Sequence, residues 1–191
     1  MITIGFIRHG TTEWNLAGRM QGQMDTPLAE AGRHQAERIA ERLRGESWDG
    51  IWSSDLKRAL ETAECIASMT GIPLLGTDAR LRERSFGQLE GTTLEERISR
   101  WGTEWRELDL GLESDESLLL RWSSFLEELE ESHEGKRMLV VSHGGYIVPI
   151  VESIRQEKLE QHLMNTSLTV MVKHQSEGWS FPVLNCTRHL P

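Results

Sequence analysis

ITIGFIRHG, residues 2–10, is an apolar run that ends abruptly on an arginine, a histidine and a glycine. Its apolar part is typical of a short buried strand in a parallel sheet. Because an unpaired buried charge is costly, we expect the strand to end there and to carry Arg8 and His9 at its carboxyl end. Open α/β sheets bind ligands at that edge, and Gly10 would let backbone N–H groups approach a ligand closely. An exposed strand end with a solvated arginine and histidine is the alternative.

Length and charge restrict the class of protein. The 191 residues are enough for one domain with a buried core. The chain has 21 basic and 30 acidic residues, a net charge of −9, which argues against non-specific binding to nucleic acid or to a membrane surface. The N-terminus lacks a signal-peptide pattern, and no apolar run approaches the ~20 residues that span a bilayer. We therefore expect a cytoplasmic protein with neither nucleic acid nor membrane as a partner.

Strand-like and helix-like segments alternate along the chain. Amphipathic patterns predict helices over 28–44 and 56–70, each followed by a glycine, and a third helix after the segment VVSHGG. Short apolar runs predict the intervening strands, and SLTVMVKH and GWSFPVLN predict a closing pair of strands around the turn QSEG. This alternation predicts a three-layer α/β fold, in which helices cover both faces of a mostly parallel, twisted sheet.

The segment from about 85 to 133 departs from this alternation. It is helical in pattern, acidic and rich in tryptophan, and Trp101 and Trp105 would share one helical face because they are four residues apart. One interpretation is a small helical lid, inserted between two βα units and lying over the carboxyl edge of the sheet. The alternative is that its tryptophans are core anchors. We therefore predict a single domain, residues 1–191, with a lid segment at about 85–133.

Two predicted strand–turn units end on a histidine, His9 and His143. In a parallel sheet both turns emerge at the same edge, so we expect the two imidazoles to meet there. Arg58, near the start of the second predicted helix, and Glu83, in LRERSFGQLEG, would join them, together with Arg8 and the amides of the helix after VVSHGG. Guanidinium groups, imidazoles and helix N–H groups suit a dianionic phosphate. The pattern therefore predicts a phosphate site with a nucleophile that is not a metal-bound group.

Each of these residues also has a plainer interpretation. Arg58 would be a solvated surface residue, Glu83 the surface partner of a neighbouring arginine, and His143 a core histidine. A metal site is a further alternative, but zinc sites usually show close ligand spacings such as H-x-x-x-H or C-x-x-C, and the sequence has none. Arg8 and Arg58 would also repel a cation. We therefore predict no metal and no cofactor.

Five motifs carry a resemblance to a known family. IRHGTTEWN, MQGQMDTPL, SSDLKRALETA, LRERSFGQLEG and VVSHGGYI resemble, in order and spacing, those of the histidine phosphatase superfamily. This group includes cofactor-dependent phosphoglycerate mutases and many small phosphatases, and the ending LNCTRHLP resembles that of its smaller bacterial phosphatases. The resemblance covers nearly the whole chain except about 100–130. It implies the α/β fold and the phosphate chemistry that the residues themselves predict.

The resemblance also implies a role for each site residue. His9 is implied to be the nucleophile that becomes phosphorylated, and Glu83 the proton donor. The remaining residues are implied to hold the phosphoryl oxygens or to line the phosphate pocket: Arg8, Arg58, His143, Asn15, Gln21, Gly22 and the amide of Gly144. Such a two-step covalent scheme needs no metal.

The sequence departs from the family pattern at two places. Ala29, in PLAEAG, stands where the family often has threonine or serine, which removes an expected helix N-cap and bears on stability rather than on chemistry. LESDES stands where many small members carry PGGES before the last helix pair. That difference lies in the predicted lid, so it bears on the choice of substrate and leaves the phosphate chemistry unchanged.

These observations predict a phosphomonoester hydrolase that acts through a phosphohistidine on a small phosphorylated metabolite. The first alternative is a cofactor-dependent phosphoglycerate mutase. Against it, the chain is short for that branch, and the lid carries acidic residues that would repel a second phosphate: Asp109, Glu113, Asp115 and Glu116. The second alternative is a non-catalytic module that binds phosphorylated ligands, but such relatives should lack the nucleophile or the acid, and His9 and Glu83 are both present. The sequence leaves a homodimer open.

Overall fold

A computed structural model describes residues 1–191 and divides them into six strands and six α-helices. The strands are β1 (Ile2–Arg8), β2 (Gly50–Ser53), β3 (Leu74–Thr77), β4 (Arg137–Ser142), β5 (Leu168–His174) and β6 (Gly178–Cys186). The helices are α1 (Glu13–Leu16), α2 (Glu30–Leu43), α3 (Lys57–Thr70), α4 (Leu94–Trp101), α5 (Asp115–Ser132) and α6 (Gly144–Arg155). Short 3₁₀ helices lie at Ala79–Leu81, Gly87–Leu89 and Trp105–Glu107.

The strands form a single sheet in the order β3-β2-β4-β1-β5-β6. Strands β3, β2, β4 and β1 run parallel to one another, whereas β5 pairs antiparallel with β1, and β6 pairs antiparallel with β5. Parallel neighbours need long crossover connections, and helices supply them here. The largely parallel sheet and the closing pair of strands are therefore confirmed.

Apolar layers cover both faces of the sheet. Side chains alternate between the two faces along a strand, and β1 shows the alternation clearly. Phe6 packs in one apolar cluster with Trp122 of α5 and Ile147 of α6, whereas Ile7 packs in another with Ile39 of α2. The two clusters lie on opposite sides of β1, which confirms the predicted three-layer arrangement.

The two predicted amphipathic helices begin and end within two residues of their expected limits. Helix α3 ends at Gly71, whose φ of 76° is a left-handed conformation that glycine adopts without steric cost. Helix α2 begins after Ala29, which offers no side-chain hydrogen bond to the helix N-terminus, as the sequence predicts. No helix of the chain is both long enough and apolar enough to cross a membrane.

The segment predicted as a lid, at about 85–133, consists of two different parts. Its second part, α5, packs on the sheet, because Leu118, Trp122 and Phe125 are buried in the same cluster as Phe6. The part before α5 has a small apolar cluster of its own. The predicted C-terminal limit of the lid is therefore corrected: α5 is a covering helix of the sheet, since its apolar stripe is buried in the main core.

The expected helical face shared by Trp101 and Trp105 does not exist. Trp101 is the last residue of α4, and Gly102 follows it with a φ of 79°, so the helix stops before Trp105 begins a separate 3₁₀ helix. Trp105 is buried with Leu89 and Leu110 in the small apolar cluster. The alternative interpretation, a core anchor, is therefore the correct one for this residue.

Candidate active site

The register of the sheet brings the two candidate histidines together. Arg8, the last residue of β1, is paired with Ser142, the last residue of β4. The residues that follow, His9 and His143, therefore emerge side by side at the carboxyl edge, and their ring centroids lie 5.1 Å apart. Both rings are almost completely buried. The edge that the sequence predicts as the ligand site thus holds two enclosed imidazoles.

The two ring nitrogens of His9 have different partners. Nδ1 lies 2.7 Å from the carbonyl oxygen of Gly10, and because a carbonyl can only accept, Nδ1 carries the proton. The lone pair therefore lies on Nε2, which accepts a hydrogen bond of 3.3 Å from Nε of Arg58. The side-chain amide of Asn165 donates to the main-chain carbonyl of His9 at 2.8 Å, which holds the backbone at this point. This arrangement presents Nε2 as the nucleophilic nitrogen.

Burial and positive charge keep both imidazoles neutral. Burial lowers the pKa of His9 well below its ordinary value, and the charges of Arg58 and Arg8 lower it further, with only the bond to Gly10 opposing them. Burial, followed by the charge of Arg58, also lowers the pKa of His143 well below its ordinary value. Each ring therefore carries only one proton at neutral pH and keeps a lone pair on the other nitrogen, which a nucleophilic nitrogen requires.

Arg58 is a buried guanidinium held by main-chain oxygens. Its two Nη atoms donate to the carbonyl oxygens of Met24, at 2.8 Å, and Gly22, at 2.7 Å, and its Nε donates to His9. Burial lowers the pKa of Arg58 to about 10, although the charge of Glu83 opposes the change, so the side chain remains positive at neutral pH. The plainer interpretation, that Arg58 is a solvated surface residue, is excluded because this residue is 0% exposed.

Arg8 lies against the first turn of α6. One of its Nη atoms donates to the carbonyl oxygen of Leu163 and lies 3.5 Å from Nε2 of His162, while its Nε is buried without any partner. A Cβ placed on Gly144 would lie 3.3 Å from that Nε. A buried, unpaired guanidinium donor beside a helix N-terminus is an environment that favours a bound anion.

Glu83 is buried and hydrogen-bonded on both oxygens. Oε1 accepts from the N–H of Arg84 at 2.8 Å, and Oε2 accepts from the N–H of Gly145 at 3.1 Å. Burial raises the pKa of Glu83 above its ordinary value, although these N–H groups and the charges of Arg58 and Arg8 oppose the change. This environment excludes the plainer interpretation, in which Glu83 is the surface partner of a neighbouring arginine. A raised pKa is the property that a general acid needs.

His143 is oriented by a serine that follows strand β2. Its Nε2 lies 2.8 Å from Oγ of Ser54, which also accepts the N–H of Leu56 at 3.3 Å. Because the hydroxyl hydrogen of Ser54 has no other acceptor, it is donated to Nε2, and the proton of neutral His143 then lies on Nδ1. Nδ1 is buried and has no partner in the chain. It is therefore a donor available to a bound ligand.

Asn15 and Gln21 are held by their carbonyl oxygens. Oδ1 of Asn15 accepts from the backbone N–H of Thr12, the N-cap residue of helix α1, at 3.1 Å and forms one half of a capping box. Oε1 of Gln21 accepts from the hydroxyls of Thr12, at 2.8 Å, and Thr26, at 2.6 Å. Both side chains are thus fixed through their amide oxygens. Their NH₂ groups are left to donate hydrogen bonds to a phosphate oxygen.

The sequence interpretation missed three residues that hold the site. Ser54 orients His143, Thr62 accepts the N–H of Gly10 at 3.1 Å, and Asn165 fixes the carbonyl of His9. Ser54 ends a predicted strand, and Thr62 lies one helical turn after the arginine of SSDLKRALETA, so a search of strand ends and helix faces would have found them. Nothing in the local sequence marks Asn165, because only the fold brings it to the first strand.

Two of the four acidic residues named in the predicted lid form ion pairs with arginines. Glu113 forms a two-pronged ion pair with Arg121, at 2.8 and 2.9 Å, and Asp115 pairs with Arg84. The sequence predicts that four carboxylates repel a second phosphate. Because two of them are paired, that repulsion would come from the other two, Asp109 and Glu116. The structure contains no group of three or more histidine, cysteine, aspartate or glutamate side chains placed to hold a metal ion.

The comparisons with known proteins show which family the chain belongs to. Residues 4–187 match the model of the histidine phosphatase superfamily (branch 1). Phosphoglycerate mutase-like protein 4 of Arabidopsis thaliana is 36% identical over 96% of this chain and 85% of its own length. The metal-independent phosphoserine phosphatase of the same plant is 36% identical over 98% of this chain and 82% of its own length.

A solved structure extends the likeness to the whole fold. A mutant phosphoserine phosphatase from Entamoeba histolytica, in complex with phosphoserine, superposes with a TM-score of 0.82 at 29% identity, and each chain is covered completely, at 100%. The chain belongs to the histidine phosphatase superfamily (branch 1). Within that family it is a phosphomonoester hydrolase.

Proposed function

We propose that this hydrolase releases phosphate from a small phosphorylated metabolite through a phosphohistidine at His9. The observation that carries the proposal is the state of that imidazole: it is neutral, and it presents the lone pair of Nε2 beside two arginines in a buried pocket. A neutral nitrogen in a cationic enclosure is what attack on a dianionic phosphate requires.

The phosphoryl oxygens would be held by fixed donors. Arg8 and Arg58 supply charge, Nδ1–H of His143 and the N–H of Gly144 supply neutral hydrogen bonds, and the NH₂ groups of Asn15 and Gln21 complete the set. Gly22 contributes through its carbonyl oxygen, which holds Arg58 at 2.7 Å, and its φ of 53° suits glycine. Donors that are already in place pay no reorganisation cost when charge spreads over the equatorial oxygens.

The first step transfers the phosphoryl group to the enzyme. The lone pair on Nε2 of His9 forms a bond to phosphorus while the bond from phosphorus to the ester oxygen breaks. The proton of Glu83 passes to that departing oxygen, so the product is a neutral alcohol and Glu83 is left as a carboxylate.

The second step returns the enzyme to its starting state. The Glu83 carboxylate takes a proton from a water molecule, whose oxygen attacks phosphorus while the bond to Nε2 breaks. Inorganic phosphate leaves, His9 is neutral again and Glu83 is again protonated. Acid–base assistance of this kind typically contributes ~10²–10⁴ in rate. No step in the scheme draws on a metal ion.

The substrate is expected to be a small phosphomonoester. The names of two relatives support this class, since one is a phosphoserine phosphatase and another holds bound phosphoserine. A cytoplasmic location and a covering role for the part of segment 85–133 that precedes α5 remain predictions.

The experiment is to trap the phosphoenzyme. Brief incubation with a ³²P-labelled phosphomonoester, in the presence of a chelator, should leave label on the protein that is labile in acid and stable in alkali, as expected for phosphohistidine. Mass spectrometry of the digested protein should place the label on His9. The chelator should change neither labelling nor hydrolysis, because the proposed chemistry uses side chains alone.

His9→Ala and His189→Ala form a matched pair for this test. His189 is outside the site and contacts Thr166 and Arg42, so its variant should label like the wild type. Label that survives in His9→Ala, label that is stable in acid, or activity that returns from chelation only with a divalent metal would each contradict the proposal.

A further inference from the structure

Arg121 makes an unusual set of contacts beneath the candidate acid. From helix α5 its guanidinium donates to the carbonyl oxygens of Arg80 at 2.6 Å, Arg82 at 2.7 Å and Glu83 at 3.4 Å. These three carbonyls belong to the loop that carries the Glu83 carboxyl. One side chain therefore holds three points of this main chain, more than Gln23, which donates to the carbonyl of Glu83 at 3.2 Å, or Ser142, which donates to the carbonyl of Leu81 at 2.8 Å.

Glu113 binds both Arg121 and the main chain at Ser85, two residues after Glu83. Its carboxylate holds Nε and Nη2 of Arg121 at 2.8 and 2.9 Å, and also accepts the N–H of Ser85 at 3.2 Å. The N–H of Glu113 in turn donates to the carbonyl of Ser85 at 2.8 Å. Burial alone would raise the pKa of Glu113, but the hydrogen bonds from Arg121 hold it below its ordinary value, so the pair is charged at neutral pH.

Arg121 also contacts the first turn of helix α6, which binds the carboxyl of Glu83. Its guanidinium carbon lies 4.4 Å from the centre of the Tyr146 ring. Tyr146 follows Gly145, whose N–H holds Oε2 of Glu83. The same side chain therefore touches both the loop from which Glu83 projects and the helical turn that receives its carboxyl. Helix α5 is itself fixed in the core, so the anchor is rigid.

We propose that Arg121 is a positioning residue for the proton donor: through the main chain of residues 80–83 it sets the place of the Glu83 carboxyl relative to the leaving oxygen of the substrate. It contacts no group that we assign to the phosphate. The inference rests on the proposed acid role of Glu83, and it adds a residue from the segment in which the chain departs most from its family pattern.

The proposal predicts a leaving-group signature. A displaced acid matters little when the leaving group is p-nitrophenolate, which departs readily as an anion, and it matters greatly when a basic alkoxide must be protonated. Misplacing a catalytic group by about 1 Å can cost ~10²-fold in rate. We therefore expect Arg121→Met to lower kcat/KM by about 10- to 100-fold for an alkyl phosphate such as phosphoserine or glycerol phosphate. The loss for p-nitrophenyl phosphate should be much smaller.

The control variant is Arg80→Met. Arg80 lies in the 3₁₀ helix Ala79–Leu81, and its side chain connects that helix to α5 through Ser124 at 3.1 Å and Glu128 at 2.7 Å. Unlike Arg121, it does not touch the carbonyls of residues 82 and 83. Its loss should affect both substrates alike. Arg121→Lys keeps the charge next to Glu113 but cannot hold every carbonyl at once, so it should recover only part of the alkyl phosphate activity.

Glu83→Gln separates this inference from the function on which it rests. In that background the further change Arg121→Met should cost little, because an acid that is absent cannot be misplaced. If Glu83→Gln itself loses equally on both substrates, the acid role fails. If Glu83→Gln discriminates between the substrates and Arg121→Met does not, the acid role stands and the positioning role is wrong.

The folding of each variant is checked by thermal unfolding and circular dichroism. If Arg121→Met does not fold, because Glu113 is then left without its partner, the test uses Arg121→Met combined with Glu113→Gln, and Arg121→Lys alone. Unequal losses for alkyl and aryl phosphates in these variants support the proposal. Equal losses overturn it and leave Arg121 with a purely structural role.

Discussion

The imidazole of His9 and the carboxyl of Glu83 share one cationic pocket, yet their pKa values move in opposite directions. Burial penalises whichever form is charged, so it lowers the pKa of the histidine and raises that of the acid. Arg58 and Arg8 reinforce the change at His9 and oppose it at Glu83. Both shifts widen the pH range in which a neutral nucleophile and a protonated acid coexist.

A pH profile tests this pair of shifts. As pH rises through the raised pKa of Glu83, the acid loses its proton, so kcat/KM for an alkyl phosphate should fall on the alkaline side. As pH falls through the lowered pKa of His9, the nucleophile gains a proton, so the acid limb should lie below the ordinary histidine value of about 6.5. Glu83→Gln should remove the alkaline limb and keep the acid one.

The titration of the substrate itself provides the internal control for this measurement. A phosphomonoester has its second pKa near 6, and any limb from that source should appear unchanged in both enzymes. An alkaline limb that survives in Glu83→Gln would show that another group is the acid.

Helix α2 supports the loop that follows the nucleophile. The N–H of Ala29 donates to the carbonyl of Thr11 at 3.0 Å, and Gln35 accepts the N–H of Thr11 at 2.9 Å. A Cβ on Gly32 would lie only 2.0 Å from that same carbonyl oxygen, so the close approach of helix and loop depends on glycine. The start of the helix thus helps to place Gly10, the residue whose carbonyl sets the His9 tautomer.

Ala29→Ser should stabilise this helix without changing the chemistry. Ala29 occupies the N-cap position with extended backbone and no side-chain hydrogen bond. A serine oxygen there would accept an unpaired N–H of the first turn, which is typically worth about 1 kcal/mol. We expect the free energy of unfolding in urea to rise by that amount and kcat/KM to stay unchanged.

Ala31→Ser is the matched exchange inside the same helix. Ala31 is exposed and lies two residues after the N-cap, so its serine cannot cap the first turn in that way. Its stability should stay the same or fall slightly. Equal stabilities of the two variants would show that the missing cap at Ala29 has no energetic consequence.

Across the whole molecule, the choice between hydrolase and mutase depends on the charges that the rest of the chain offers a second phosphate. Two arginines of the segment between β3 and β4 are engaged, since Arg84 pairs with Asp115 and Arg121 pairs with Glu113. Neither is free to retain a bisphosphorylated intermediate. Retention of that intermediate and exclusion of water are what a mutase needs.

The expected outcome is release of inorganic phosphate from monoesters with little interconversion of 2- and 3-phosphoglycerate, even when 2,3-bisphosphoglycerate is supplied. Both reactions are measured on one enzyme preparation, with phosphate detected colorimetrically and the isomers separated by chromatography. Mutase turnover that exceeds hydrolysis would reverse the assignment.

Much of the fold could be predicted because its signals are local. The strand that ends at Arg8, the helices that stop at Gly71 and before Gly45, and the closing hairpin each follow from apolar periodicity and a nearby glycine. The place of α5 was harder to predict, since an amphipathic helix has the same pattern whether it covers a sheet or an active site. The spacing of Trp101 and Trp105 predicts one shared helical face. The structure differs because Gly102, with a left-handed φ, ends the helix between them.

The sequence by itself determined which residues are the candidates for the reaction and at which edge of the sheet they emerge, because strand ends, glycine turns and helix starts are read from neighbouring residues. Tertiary structure alone decided their chemical state. The neutrality of both imidazoles depends on burial and on the charge of Arg58, which comes from a distant part of the chain, and the raised pKa of Glu83 depends on burial. The support that Arg121 gives to Glu83 also depends on how α5 packs, since burial and long-range hydrogen bonds exist only after the chain has folded.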